Sequence, residues 1–297
     1  MRFCKMQALG NDFVVVGEDE LKRVLGSLKM LDGRPEDALL SQIAQKLCSR
    51  NFGIGADGFI VVRKGSSADR LSWTYINSDG SISLMCGNGL RCLALWAKMN
   101  AWAPGDNYFV ETGKGPVEIT YVNAGSISTD LGEPQLIPSM VPVADGGNQP
   151  VIAREFKQAG EQFKISCVSM GNPHCVIFEN RFDDALLENR ALKLQSNEFF
   201  PEGVNVEFVK VDSKTHLTVR VYERGCGRTL ACASGAAATV VAAVLEGRTE
   251  RKVDVELEGG TLQIEWQQDS KHVLISGPAA IVFSGQLDVQ SLNLEAF

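Results

Sequence analysis

Gly89-Leu90-Arg91-Cys92-Leu93-Ala94-Leu95-Trp96-Ala97-Lys98-Met99 and Gly235-Ala236-Ala237-Ala238-Thr239-Val240-Val241-Ala242-Ala243-Val244-Leu245 are built from helix-formers and small residues, and both are apolar nearly all round. A helix without a polar face is normally buried on every side. What wraps these two must be strands, because the rest of the chain reads mostly as strand. Each half is therefore expected to be a curved mixed β-sheet wrapped around one central buried α-helix. The fold class is α+β, with two similar domains.

Strand-like runs occur at 12–16, 58–63, 71–76, 107–111, 115–121, 163–169, 174–178, 204–211 and 216–222. Four more follow at 252–257, 261–266, 272–276 and 279–283, separated by turn residues such as Gly259-Gly260 and Gly277-Pro278. Helices are expected at 36–49, 87–99, 182–190 and 234–246. The Pro- and Gly-rich stretch 133–150 is the expected boundary region, the rival reading being one long loop.

At 297 residues, two domains are the natural prior. A net charge of −7 argues against general nucleic-acid binding, which needs a basic face. Asn11 and Asp12 interrupt any apolar signal-peptide core, and the run 236–245 is too short to span a bilayer. No membrane partner is expected, and a cytoplasmic location is. Eight cysteines in such a chain do not suggest a disulfide scaffold, and most should be small buried hydrophobes. The spacings Cys86-x5-Cys92 and Cys226-x5-Cys232 are not those of common zinc sites, and only three histidines are present.

Two cysteines stand apart. Met85-Cys86-Gly87-Asn88-Gly89 and Ala231-Cys232-Ala233-Ser234-Gly235 each set a thiol where one of the apolar helices begins. There, free backbone N–H groups and the helix dipole favour negative charge. Such a position is expected to lower a thiol pKa and to receive a carboxylate. Small neighbours let a ligand approach the backbone. Two thiols suit thiol–disulfide exchange, metal binding, or proton transfer at a stereocentre. In the last, a thiolate removes an α-proton from one face and a thiol returns one on the other.

Polar segments with little helix or strand character accompany them: 9–12, 77–80, 170–174, 203–205 and 223–225. Taken singly, their asparagines are turn residues. Glu223-Arg224 ahead of Cys232 suggests a clamp for a second carboxylate or amine. His174 is a candidate catalytic base, but with two thiols available it reads rather as a supporting hydrogen-bond partner.

On LGNDFVVV (9–16), RNFGIGADG (50–58), INSDGS (76–81), MCGNGLRC (85–92), MGNPHCVIF (170–178), PEGVNVEFV (201–209) and ERGCGRTLACASGA (223–236), the chain resembles the diaminopimelate epimerase family of cofactor-independent amino-acid racemases. The resemblance runs over nearly the whole length. It implies an N-terminal domain of 1–130 plus 278–297, a C-terminal domain of 131–277, and an active site in the cleft between them. It implies Cys86 and Cys232 as the catalytic pair. Backbone N–H groups of Gly87, Asn88, Ala233 and Ser234 would take the reacting carboxylate. Asn77, Asn172, Asn205, Glu223 and Arg224 would hold the distal end, Asn11 would line the pocket, and His174 would sit near the cysteines. No cofactor and no metal are implied. The substrate would be a small amino acid, LL-2,6-diaminopimelate, converted to the meso form for lysine and peptidoglycan precursors, and a homodimer is implied.

The chain departs from the family pattern at Gln7-Ala8, Gly58, Cys226, Arg228 and Ala233. The alternative readings are a related racemase for histidine or proline, a redox protein in which the two cysteines join, and a metal-binding module.

Overall fold

The structure, a computed structural model, describes residues 1–27, 35–144, 147–158 and 160–288. The chain divides into two compact units, Met1–Thr129 with the segment from Gly277 onward, and Asp130–Ser276.

In the first unit, β1 (Arg2–Ala8), β2 (Asn11–Gly17), α1 (Glu18–Ser27), α2 (Glu36–Cys48), β3 (Gly58–Lys64), β4 (Arg70–Asn77) and β5 (Ile82–Ser83) precede α3 (Gly87–Met99). Then come β6 (Asn107–Thr112), β7 (Gly115–Asn123) and β8 (Ser126–Asp130). The second unit holds β9 (Arg154–Gln158), β10 (Glu161–Ser169), β11 (Pro173–Phe178), α4 (Asp184–Gln195), β12 (Asn205–Ser213), β13 (His216–Glu223) and β14 (Gly227–Thr229). It continues with α5 (Ala233–Leu245), β15 (Lys252–Leu257), β16 (Gly260–Trp266) and β17 (Val273–Gly277), after which β18 (Ala280–Gln286) rejoins the first unit.

The two sheets repeat one plan. In the first, the order β18-β1-β2-β3-β4-β6-β7-β8 has its third and fifth pairings, β2–β3 and β4–β6, parallel and the rest antiparallel. In the second, β9-β10-β11-β12-β13-β15-β16-β17 has β11–β12 and β13–β15 parallel in the same places. Both parallel pairs need crossovers, and helices supply them. A short strand and the central helix, β5-α3 or β14-α5, fill the second crossover of each unit.

Period-two alternation decides what faces each helix. Phe13 and Val15 of β2 join Ile60, Trp73 and Tyr75 around Leu90, Leu93, Ala94 and Trp96 of α3. Val14 and Val16 point the other way, with Phe59 and Val61, onto Leu21, Leu39, Leu40, Ile43 and Leu47 of α1 and α2. In the second unit, Cys175, Ile177, Val206 and Phe208 cover Leu187, Ala191 and Leu194 of α4. Residues 88–97 of α3 and 235–243 of α5 are buried throughout, as their composition requires.

Several expectations are corrected. β1, β5, β8, β9, β14 and α1 lie outside the strands and helices expected from the sequence. The helix expected at 182–190 spans Asp184–Gln195, because Asp183 caps it, accepting from the Leu186 N–H at 3.3 Å. The unit division falls ahead of the stretch 133–150, which belongs to the second unit. Gln135 bridges to Ser169 there, and Val141 and Val143 enter its core. Residues 145–146 of that stretch, and 289–297 of the tail expected to return to the N-terminal domain, lie outside the described residues. The part of that tail in β18 pairs with β1.

Candidate active site

Cys86 and Cys232 are the N-cap residues of α3 and α5, both with extended backbone, and each sulfur accepts the N–H three residues on, from Gly89 or Gly235, at 3.4 Å. The amides of Gly87 and Asn88, and of Ala233 and Ser234, therefore occupy first turns, where an α-helix leaves its N–H groups without internal acceptors. Cys86 is half-buried and Cys232 buried. All eight cysteines are free thiols. Among the described residues, no group of three or more His, Cys, Asp or Glu is arranged to hold a metal ion.

Around Cys86, the first unit assembles Asn11, Asn88, Asp57 and Arg91. Cys86 Sγ lies 3.8 Å from Asn11 Oδ1, which also accepts from Asn88 Nδ2 at 3.3 Å. Asn11 Nδ2 donates to Asp57 Oδ2 at 2.8 Å. Asp57 is anchored in turn: its Oδ2 accepts from the Asp12 N–H and its Oδ1 from Arg50, which also bridges Asp12. Lys5 closes the cluster at 2.6 Å from Asp12. Asn77, the last residue of β4, donates to Ser81 Oγ at 2.9 Å.

Around Cys232, the second unit assembles Asn172, His174, Asn205, Glu207, Glu223 and Arg224. His174 meets Glu207 through Nδ1 at 2.7 Å and Asn172 Oδ1 through Nε2 at 3.0 Å. A Cβ built on Gly235 would come within 2.5 Å of Glu207 Oε1, so the carboxyl lies directly against the first turn of α5. Asn205 donates to Pro173 O and accepts the Arg224 N–H at 3.0 Å, tying together the starts of β11 and β12 and the turn after β13. Glu223, the last residue of β13 as Asn77 is of β4, accepts from Thr229 at 2.6 Å. The exposed Arg224 guanidinium donates to Glu202 O, and the aliphatic stem of Arg224 lies over Gly203, whose φ of +70° suits glycine. Cys232 Sγ is 3.4 Å from Ser234 Oγ.

The electrostatics correct one expectation. Burial pushes the Cys232 thiol well above its ordinary pKa, and the carboxyls of Glu223 and Glu207 push the same way. The hydrogen bonds from Ser234 and Gly235 oppose this and do not prevail. A helix N-terminus alone does not make a thiolate when the site is dry and faces acids. Burial likewise raises the Glu207 carboxyl, with His174 opposing. Arg91, fully buried, is pulled down to about 10 by loss of solvation.

Asp57, Arg91 and Glu207 were not singled out from the sequence. Each carried a signal: Arg91 is the one charge in the apolar run 87–97, Glu207 the one carboxyl in the apolar run 204–209, and Asp57 sits in a glycine-rich turn.

The chain matches the family model described as Diaminopimelate epimerase over residues 3–137 and 166–282. It is 41% identical over 295 residues to the diaminopimelate epimerase of Leptospira biflexa, covering 97% of this chain and 99% of the relative. It is 42% identical to the chloroplastic diaminopimelate epimerase of Oryza sativa subsp. japonica, covering 96% of this chain and 79% of that protein. Among solved structures, a phenazine biosynthesis protein of the PhzF family from Bacillus anthracis shares the fold, with a TM-score of 0.67 at 15% identity, covering 97% of this chain and 99% of that one.

Proposed function

The chain belongs to the diaminopimelate epimerase family, and on that premise we propose that Cys86 and Cys232 are the acid–base pair of the reaction. The protein is an isomerase that epimerises diaminopimelate in lysine biosynthesis. The observation that supports the pair is its repetition: two thiols, each the N-cap of the buried central helix of its unit.

In this reading one thiolate takes the α-proton of LL-2,6-diaminopimelate and the other thiol returns a proton to the opposite face, giving the meso form. Inversion demands that both sulfurs reach one carbon. Charge developing on the α-carboxylate is met by the backbone N–H groups of Gly87, Asn88, Ala233 and Ser234, oriented before the reaction begins. Asn77, Asn172, Asn205, Glu223 and Arg224 hold the distal amino-acid end, Asn11 lines the pocket, and His174 supports the second thiol. By the family resemblance, the proposed reaction is independent of pyridoxal phosphate. The product serves peptidoglycan precursors as well as lysine.

Incubation with LL-diaminopimelate in D2O tests the reading. Deuterium should enter the α-position as meso product forms, and Cys86→Ala or Cys232→Ala should abolish both. A Cys86→Ala variant that epimerises at near-normal rate overturns it. Equal turnover of proline or histidine, which lack the distal carboxylate that Arg224 would bind, would favour the related racemase instead. From the family resemblance we also propose a cytoplasmic homodimer. No helix among the described residues is long and apolar enough to cross a membrane. A monomer mass by light scattering would overturn the dimer.

A further inference from the structure

Amide orientation is ordinarily ambiguous, because the oxygen and nitrogen of Asn look alike. Here charged groups of fixed polarity settle it at both ends of a hydrogen-bond chain. Arg91 can only donate, and its Nη2 reaches Asn88 Oδ1 at 2.6 Å. Asn88 therefore turns its Nδ2 outward, to Asn11 Oδ1 at 3.3 Å. At the other end the Asp57 carboxylate can only accept, and it takes Asn11 Nδ2 at 2.8 Å. Both constraints require the same orientation of Asn11, with its carbonyl oxygen 3.8 Å from Cys86 Sγ.

We propose that Arg91 and Asp57 are positioning residues for Cys86: they lock the Asn88 and Asn11 amides so that an acceptor oxygen always faces the sulfur. A carbonyl oxygen there accepts from S–H and repels S⁻. The chain thus works against the thiolate of Cys86 in the unliganded protein, opposing the Gly89 N–H that the same sulfur accepts, and gives an S–H there an acceptor. Both ends are built to hold their polarity. Arg91 is fully buried and further fixed by Gly87 O and Pro278 O. Asp57 is held by Arg50 and by the Asp12 amide. The charged and titratable groups packed around this network are Arg91 and Cys92 of α3, Lys5 of β1, Asp12 of β2, Cys48 of α2, and Arg50 and Asp57 between α2 and β3.

The inference rests on the reading of Cys86 as a catalytic thiol, but its test does not need turnover. The rate of Cys86 alkylation by iodoacetamide is followed by peptide mass spectrometry across pH, in the free protein, for Asn11→Ala, Asp57→Asn and the double variant. Each single variant should alkylate about threefold faster or more near neutral pH, where thiolate is scarce, and should converge on the parent rate at strongly alkaline pH. The double variant should match Asn11→Ala, because Asp57 acts through Asn11. An unchanged rate overturns the proposal, as does an acceleration that persists at alkaline pH, which reports access. So does an Asp57→Asn effect undiminished without Asn11. Should Asp57→Asn fail to fold, Asn11→Ala alone still decides, since it leaves the ion cluster intact. An epimerising Cys86→Ala variant would sink the catalytic reading and not this one.

Discussion

His174 Nδ1 lies 2.7 Å from Glu207 Oε1, and neither side chain has any solvent exposure. One proton shared between them keeps the pair neutral overall, whether as imidazolium and carboxylate or as imidazole and acid. The second oxygen, Glu207 Oε2, has no hydrogen-bond partner among the described residues, so the carboxyl is held by this one link and by packing, while the far side of the imidazole is held by Asn172 Oδ1. Removing the carboxyl strands the imidazole in a dry site. Glu207→Ala should cost about 3–5 kcal/mol of stability. Glu207→Gln keeps an acceptor for Nδ1–H and should cost about 1 kcal/mol. Equilibrium urea unfolding separates the two. Equal losses would show that the link to His174 carries nothing.

Gly235 and Gly26 are both helical glycines with opposite surroundings. A Cβ at Gly235 would meet Glu207 Oε1 at 2.5 Å and Cδ at 3.2 Å, whereas one at Gly26 would meet nothing within 4 Å. Gly235→Ala should therefore destabilise by about 1–3 kcal/mol, overpacking outweighing the gain in helix propensity. It should also reduce activity by displacing the carboxyl that holds His174. Gly26→Ala should stabilise by about 0.5–1 kcal/mol and leave activity unchanged. Melting temperatures of the two variants should move in opposite directions.

The site's positions were more legible in the sequence than its electrostatics. Two all-apolar helices imply wrapping sheets, and small residues after Cys86 and Cys232 mark helix starts, because these are local properties of composition. The topological repeat was only partly visible: it lies in which pairings are parallel, and that is set by non-local contacts. β1 is hard to read in RFCKMQA because it carries an arginine and a lysine, residue types that ordinarily face solvent. Lys5 is in fact buried against Asp12 and the Gly55 carbonyl. The orienting residues Asp57, Arg91 and Glu207 escaped for the same reason. A charged residue's burial depends on partners distant in sequence, 46 residues from Asn11 to Asp57 and 33 from His174 to Glu207.

Buried thiols make the fold sensitive to alkali. Burial pushes Cys48 up to about 12, and raises Cys92 and Cys175 by the same cause. In the unfolded chain these thiols ionise near the ordinary value of about 8.5. Above that pH the unfolded state releases protons that the folded state retains, so stability falls as pH rises. Their contribution is intact below about pH 8.5 and is lost progressively toward their folded values. Urea midpoints taken across this range should drop on the alkaline side. Cys48→Ala should flatten the drop, by about 1.4 kcal/mol per pH unit for each thiol removed. A slope unchanged in that variant would exclude Cys48 as a contributor.

Cys232 should be a slow nucleophile in the free protein, and acids should be part of the reason. Burial holds its thiol protonated, and Glu223 and then Glu207 add to that effect. Glu223 is fixed by the Thr229 hydroxyl at 2.6 Å, so its carboxylate cannot swing away. Glu223→Gln keeps that hydrogen bond and removes only the charge. Iodoacetamide labelling of Cys232 near neutral pH, resolved by peptide mass spectrometry, should accelerate several-fold in Glu223→Gln and less in Glu207→Gln, following the order of the two contributions. The acceleration should fade at high salt only slightly, because a buried pair is poorly screened. Labelling that does not change in Glu223→Gln would assign the protonated state to burial alone. The carboxylate would then be left with substrate binding as its role.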